Sequence, residues 1–247
     1  MSIRAAALTA MLLAARGAAA QTAAAHVAEG DSAVAAMNLP AALRHYEAAV
    51  ALDSSDVDAL WKAANAAADL GEFSDPPQRA ALYARSEGLA RRAVAANPSS
   101  TWAHFALAKA LGRAALSKGT SERVKYASAV YNETDQALRL DSTNAGAWHV
   151  LGVWNAEIMR LNGLQRFAAK HLLGGHVFGE ASWEHAQRDL ERAVALEPGR
   201  ITHHLDLAAV YADRGDRARA RAEYATVLRL PATEYNDRFY KQEAERR

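Results

Sequence analysis

Residues 201–231 read ITHHLDLAAVYADRGDRARARAEYATVLRLP. Counted from Ile201, His204, Leu207, Ala208 and Tyr211 occupy positions 4, 7, 8 and 11, Gly215 occupies 15, and Ala220, Tyr224, Val227 and Pro231 occupy 20, 24, 27 and 31. Spacings of three and four mark one face of a helix, here written twice with Gly215 as the turn between them. Small side chains at 8 and 20 let two antiparallel helices approach closely, and the larger ones at 4, 11 and 24 fill the space that remains. Such a pair cannot bury its own apolar face. Neighbouring pairs must therefore stack on it, and at least three are needed.

This spacing resembles the tetratricopeptide repeat, with the closing Pro one place early, and further copies lie upstream. One begins near Ala145, with Trp148, Leu151 and Gly152 at positions 4, 7 and 8, and its second half ends in Ala186, Leu190, Ala193 and Pro198. Others begin near Thr101 (His104, Leu107, Ala108), near Val57 (Leu60, Ala63, Ala64, Gly71) and near Ala23, the last firm at Ala42, Tyr46 and Ala49. Ser55 with Asp58, and Asn144 ahead of Trp148, read as helix entries. The composition agrees: 61 Ala against 25 Val, Ile and Thr favour helix and starve a sheet. The sequence predicts an all-α fold, a right-handed α-solenoid of about five antiparallel helix pairs over residues 21–232. A long helical insertion over about 157–183 and a capping helix over 233–247 complete it.

The ends and the charges bound the function. Arg4, the apolar run from Ala5 to Ala15 and the small residues Ala18 and Ala20 before Gln21 predict a cleavable export signal over residues 1–20, and hence a periplasmic protein; the alternative is an uncleaved segment, an anchor or an amphipathic first helix, and with the latter a cytoplasmic protein. Without that segment the formal charge passes from +1 to −1, and Arg214, Arg217, Arg219 and Arg221 alternate with acids, so nucleic acid is not an expected partner. The chain has no Cys, which removes disulfides, thiolate metal sites and cysteine nucleophiles. His203 and His204 diverge on a helix, and His171 and His176 stand five apart, so neither pair has the spacing of helical metal ligands. Residues 174–179, GGHVFG, lack the Lys-Ser/Thr ending of a phosphate loop. The expectation is a non-enzyme with no cofactor and no metal.

Three stretches go beyond a generic repeat: residues 146–154 (GAWHVLGVW), residues 166–170 (RFAAK) with Gly174 and Gly175, and residues 235–244 (YNDRFYKQEA). Together with the insertion before Ala186 they resemble the regulator of microtubule dynamics family, whose repeat domain this chain matches from about residue 30 to its end. The resemblance implies the tetratricopeptide-like fold. It also implies association with microtubules or with organelle contact sites, and a relative that carries phospholipid in a concave apolar cavity. This chain departs from the family in opening with an export-type segment and in carrying Val153 where a basic residue often precedes the Trp.

In this type of repeat the first helix of each pair lines the inner groove through positions 2, 5, 9 and 12. That selects Trp61, Asn65, Trp102, Phe105, Lys109, His149, Val153, Leu205 and Ala209. Most are apolar, and only Asn65 and Lys109 suit the clamping of a carboxylate. The groove is expected to hold an apolar or amphipathic ligand, phospholipid among the candidates, and alternatively a segment of a partner protein. The insertion, apolar with interspersed cations, is expected to act as an amphipathic flap. Arg160, Arg166, Phe167 and Lys170 would close on the ligand or touch a membrane surface from outside.

Overall fold

The computed structural model describes residues 22–115, 118, 120–163, 165–167 and 176–247. The export-type segment and residues 164 and 168–175 of the insertion, Lys170 among them, lie outside the described residues. Helix α1 covers residues 22–35, followed by α2 (Leu39–Leu52), α3 (Val57–Glu72), α4 (Pro76–Ala96), α5 (Thr101–Ala115), α6 (Thr120–Leu140) and α7 (Ala145–Arg160). A 3₁₀ turn at His176–Gly179 precedes α8 (Trp183–Leu196), α9 (Ile201–Asp213), α10 (Arg217–Arg229) and α11 (Asp237–Glu245). No strand occurs among the described residues. The helices pack as sequential antiparallel pairs, and the first helices α3, α5, α7 and α9 also touch one another in order, which is the stacking of a tetratricopeptide-like α-solenoid.

Short polar side chains start the helices. Asn38, Asp56, Asp75, Asn144, Ser182 and Asp216 each accept a hydrogen bond from the backbone N–H three residues on. Asn144 is thus the cap its position predicts, whereas the entry to α3 is capped by Asp56. Ser55 instead donates its hydroxyl to Asp53 at 2.7 Å inside the preceding turn. The middle repeats exceed 34 residues because α4 and α6 each run to 21 residues, against 14 and 13 in α2 and α10.

Close approach within a pair rests on small residues, as the spacing predicts. A Cβ on Gly152 would stand 3.0 Å from the Leu190 nitrogen and 3.1 Å from the Ala186 carbonyl, so α7 and α8 are in backbone contact there. Gly215, at φ +82, makes the α9–α10 turn in the left-handed region. His104 and His204, both at position 4, do more than fill space. Each imidazole bridges the carbonyl of Pro98 or Pro198 (2.9 Å) and a carboxylate of the paired helix, Glu133 or Glu223 (2.6 Å). The bond to Glu223 raises the His204 pKa above its ordinary value against the opposing effect of burial.

The C-terminal segment differs from a simple end cap. Tyr240 and Ala244 do bury against Ile201 and Val227 of the last pair. The same segment also crosses to α3: Asn236 Nδ2 donates to the Asp69 carbonyl (2.9 Å), the Tyr240 hydroxyl donates to Glu72 (2.6 Å), and Phe239 stacks on Phe73 with ring centroids 4.3 Å apart. The array therefore closes on itself, end to near-beginning.

Candidate binding cavity

Closure turns the near half of the groove into a cavity of about 310 Å3. One wall is aromatic: Trp61 and Trp102 stack at 5.1 Å, and Phe105 meets Trp102 edge-on at 6.0 Å. Helix α1 and the turn after it add Val34 and Met37, α2 adds Tyr46, and the C-terminal segment adds Tyr235 and Tyr240. Five groove residues expected from the sequence, Trp61, Asn65, Trp102, Phe105 and Lys109, line this space together. His149, Val153, Leu205 and Ala209 do not reach it. They lie farther along the solenoid, where His149 bonds Asp206 at 2.7 Å and its ring sits 4.7 Å from that of His203.

The inner face is less oily than positions 2, 5, 9 and 12 alone suggest. Positions 6, 13 and 16 fall on the same helical stripe, and they carry charge. Neighbouring first helices are joined there by Lys62–Asp31, Lys109–Asp69 and Arg113–Glu72, each 2.7 Å, and farther on by Arg160–Asp213, also 2.7 Å. Arg200 pairs with Glu234 at 3.1 Å on the cavity wall. Each of these cations is thus matched by an acid, and among the described residues the buried donor left without a hydrogen-bond partner on the lining is Arg200 Nε. Burial pulls the Arg113 guanidinium down, but Glu72 together with Tyr240 and Asp69 outweighs it and the net shift is upward. Burial, then Asp31 at 2.7 Å, pushes the Tyr46 hydroxyl up, and burial with Glu72 does the same to Tyr240. Both phenols stay neutral donors. Two buried acceptors on the lining, Asn65 Oδ1 and Asn236 Oδ1, receive no hydrogen bond from the described residues.

The described part of the insertion lies elsewhere. Phe178 stacks on Trp154 at 5.8 Å and Val177 is buried, so the 3₁₀ turn docks where α6 meets α7, away from the cavity. Arg160 belongs to α7 and ties it to α9 through Asp213, and Arg166 donates back to the Met159 carbonyl in the last turn of α7 at 3.2 Å. Phe167 is 56% exposed. None of these three lines the cavity.

A model of the family described as Regulator of microtubule dynamics protein 1-3 matches residues 25–247. The chain belongs to the regulator of microtubule dynamics family. Regulator of microtubule dynamics protein 1 of Bos taurus is 25% identical to this family member over 155 residues, 62% of this chain and 48% of the relative. Protein 3 of Mus musculus is 23% identical over 190 residues, 76% and 40%. This member thus spans about half or less of the length of those curated relatives. Among solved structures, a thermophilic TPR protein of Thermus thermophilus superposes with a TM-score of 0.64 at 21% identity, covering 91% of this chain and all of that one. PilF of Pseudomonas aeruginosa gives 0.54 at 12%, covering 93% and 85%. These likenesses show the fold.

Sequence reasoning missed the cavity residues outside its chosen positions, among them Asp31, Lys62 and Asp69 on the solenoid, and Arg200, Glu234, Tyr235, Asn236 and Tyr240 at the closure. A signal for the last group was present in the aromatics of residues 235–240, Tyr235, Phe239 and Tyr240, of which the two tyrosines reach the cavity.

Proposed function

We propose that this family member is a non-catalytic binding scaffold whose cavity holds a segment of a partner protein. One observation carries the reading: the same small space offers an aromatic wall at Trp61, Trp102 and Phe105 and two unpaired buried carboxamide oxygens, on Asn65 and Asn236. A peptide matches both, placing an apolar side chain against the rings and backbone N–H groups on the oxygens. An acyl chain matches only the first, and leaves the Asn oxygens and the flanking ion pairs desolvated without return. At about 310 Å3 the cavity also lies at the low end of ligand pockets, a fit for one or two side chains and not for a two-chain phospholipid. The relatives' names speak of microtubule regulation in those proteins. What we carry over is binding by the shared repeat domain. We place the scaffold outside the cytoplasm on the pattern of residues 1–20; amino-terminal sequencing from the native host would find Gln21 first, and an intact Met1 would end that part.

The test is selection of random 12-residue peptides on the full chain, followed by titration of the selected peptides and of phosphatidylcholine vesicles while tryptophan fluorescence is read. Selected peptides are expected to bind the wild type and to lose at least tenfold in affinity with Phe105→Glu or Asn65→Ala, while vesicles leave the spectrum unchanged. Phospholipid retained in native mass spectrometry and lost with Phe105→Glu would instead establish the lipid reading and overturn this one.

A further inference from the structure

The first helix pair carries a cluster that the cavity does not use. His26 and Glu29 stand three residues apart on α1 and so share a face, and His45 reaches that face from the antiparallel α2. Glu29 Oε2 lies 3.0 Å from His26 Nδ1 and 3.0 Å from His45 Nδ1, and the two Nδ1 atoms are 3.5 Å apart. Three lone-pair atoms therefore converge on one point. An ion bound tetrahedrally with bonds of about 2.0–2.1 Å has ligand-to-ligand edges of about 3.3–3.4 Å, inside the range seen here.

A purely hydrogen-bonded cluster accounts for this geometry less well. If both imidazoles donate to Glu29 Oε2, their Nδ1–H dipoles lie side by side at 3.5 Å. If one ring donates to the other instead, its single Nδ1–H is spent and the accepting Nδ1 carries no hydrogen, so neither ring keeps a free Nδ1–H for Glu29. A cation at the centre satisfies all three atoms at once. Two imidazoles, one carboxylate and an open fourth position are the ligand set of zinc-type ions, and oxygen-preferring Mg2+ or Ca2+ would not choose it. The side chains of His26, His45 and Glu29 are 36%, 37% and 56% exposed, so an ion can enter and water can complete the coordination.

We propose that His26, Glu29 and His45 form a binding site for a divalent first-row transition ion of the zinc type. The ion staples α1 to α2 at the start of the array. It also stiffens the cavity from behind: Asp31, two residues after Glu29, and Tyr46, next to His45, are bonded to each other at 2.7 Å on the cavity wall. A scan for ligands at i, i+4 on one helix passes over this site, because its third ligand comes from the partner helix.

The test is calorimetric titration of the tag-free full chain with zinc chloride, repeated with cobalt chloride while the visible spectrum is read. The expected result is one equivalent bound, d–d bands of a four-coordinate cobalt ion, and a rise in Tm with zinc. Glu29→Gln and His45→Gln should each weaken binding at least tenfold with far-UV circular dichroism unchanged. No binding up to millimolar zinc, or equal affinity in wild type and Glu29→Gln, would overturn the proposal. Glu29 is exposed, so that variant decides the outcome should His45→Gln fail to fold.

Discussion

Closure of the array through its C-terminal segment is tested most directly by Tyr240→Phe. The ring stays in its place against Ile201 and Val227, and only the hydroxyl that donates to Glu72 at 2.6 Å is removed. A hydrogen bond to a charged group contributes about 1.5–3 kcal/mol. Glu72 keeps Arg113 at 2.7 Å after the change, so no carboxylate is stranded and the lower part of that range applies, about 1.5–2 kcal/mol. Urea unfolding followed by circular dichroism reads this as a lower midpoint at unchanged slope, since the surface exposed on unfolding is nearly the same. The bond is isolated by a double-mutant cycle with Glu72→Gln, in which the double variant should be at least about 1 kcal/mol less destabilised than the two single changes summed. A loss below about 0.5 kcal/mol in Tyr240→Phe, or additivity in the cycle, would refute the claim that this contact fastens the end of the chain to α3.

Gly152→Val should destabilise by more than about 2 kcal/mol in the same assay, because the new side chain meets the Leu190 nitrogen and the Ala186 carbonyl, backbone that cannot yield without separating α7 from α8. His203 is 1% exposed, and burial lowers its pKa to about 3 against the opposing contact with Glu197, so it stays neutral when folded while the unfolded chain protonates it near 6.5. Its contribution is therefore present above pH 6.5 and lost as pH falls toward 3, at about 1.4 kcal/mol per unit. Between about pH 6.5 and 4.5 neither Glu197, whose pKa falls to about 2, nor His204, whose pKa is raised, contributes slope. His203→Gln should flatten the wild-type loss in that window, and parallel curves for the two proteins would contradict the assignment.

Much of the fold was legible because its signals are local. Positions 4, 7, 8 and 11 after Ile201 report one helix face, Asn144 reports a cap, and Gly215 a left-handed turn, each decided within a few residues. The cavity was legible in part for the same reason. Trp61, Asn65, Phe105 and Lys109 lie on a stripe that helical spacing defines, whereas Lys62, Asp69 and Arg113 on that same stripe were passed over because the chosen positions stopped short of 6 and 13. Ser55 shows the limit of local reading as well: two adjacent residues can each cap α3, and only the turn made by Asp53 decides for Asp56.

By itself the sequence determined the helices, their pairing and the family, since periodicity, small-residue positions and caps are written in contiguous stretches. The tertiary structure alone decided that Asn236 and Tyr240 meet Asp69 and Glu72, and that Glu29 stands between His26 and His45. The reason is geometric. A solenoid's path is the accumulation of small rotations from one pair to the next, and a cross-helix cluster depends on the register of two helices. Neither quantity is carried by the spacing within a single one.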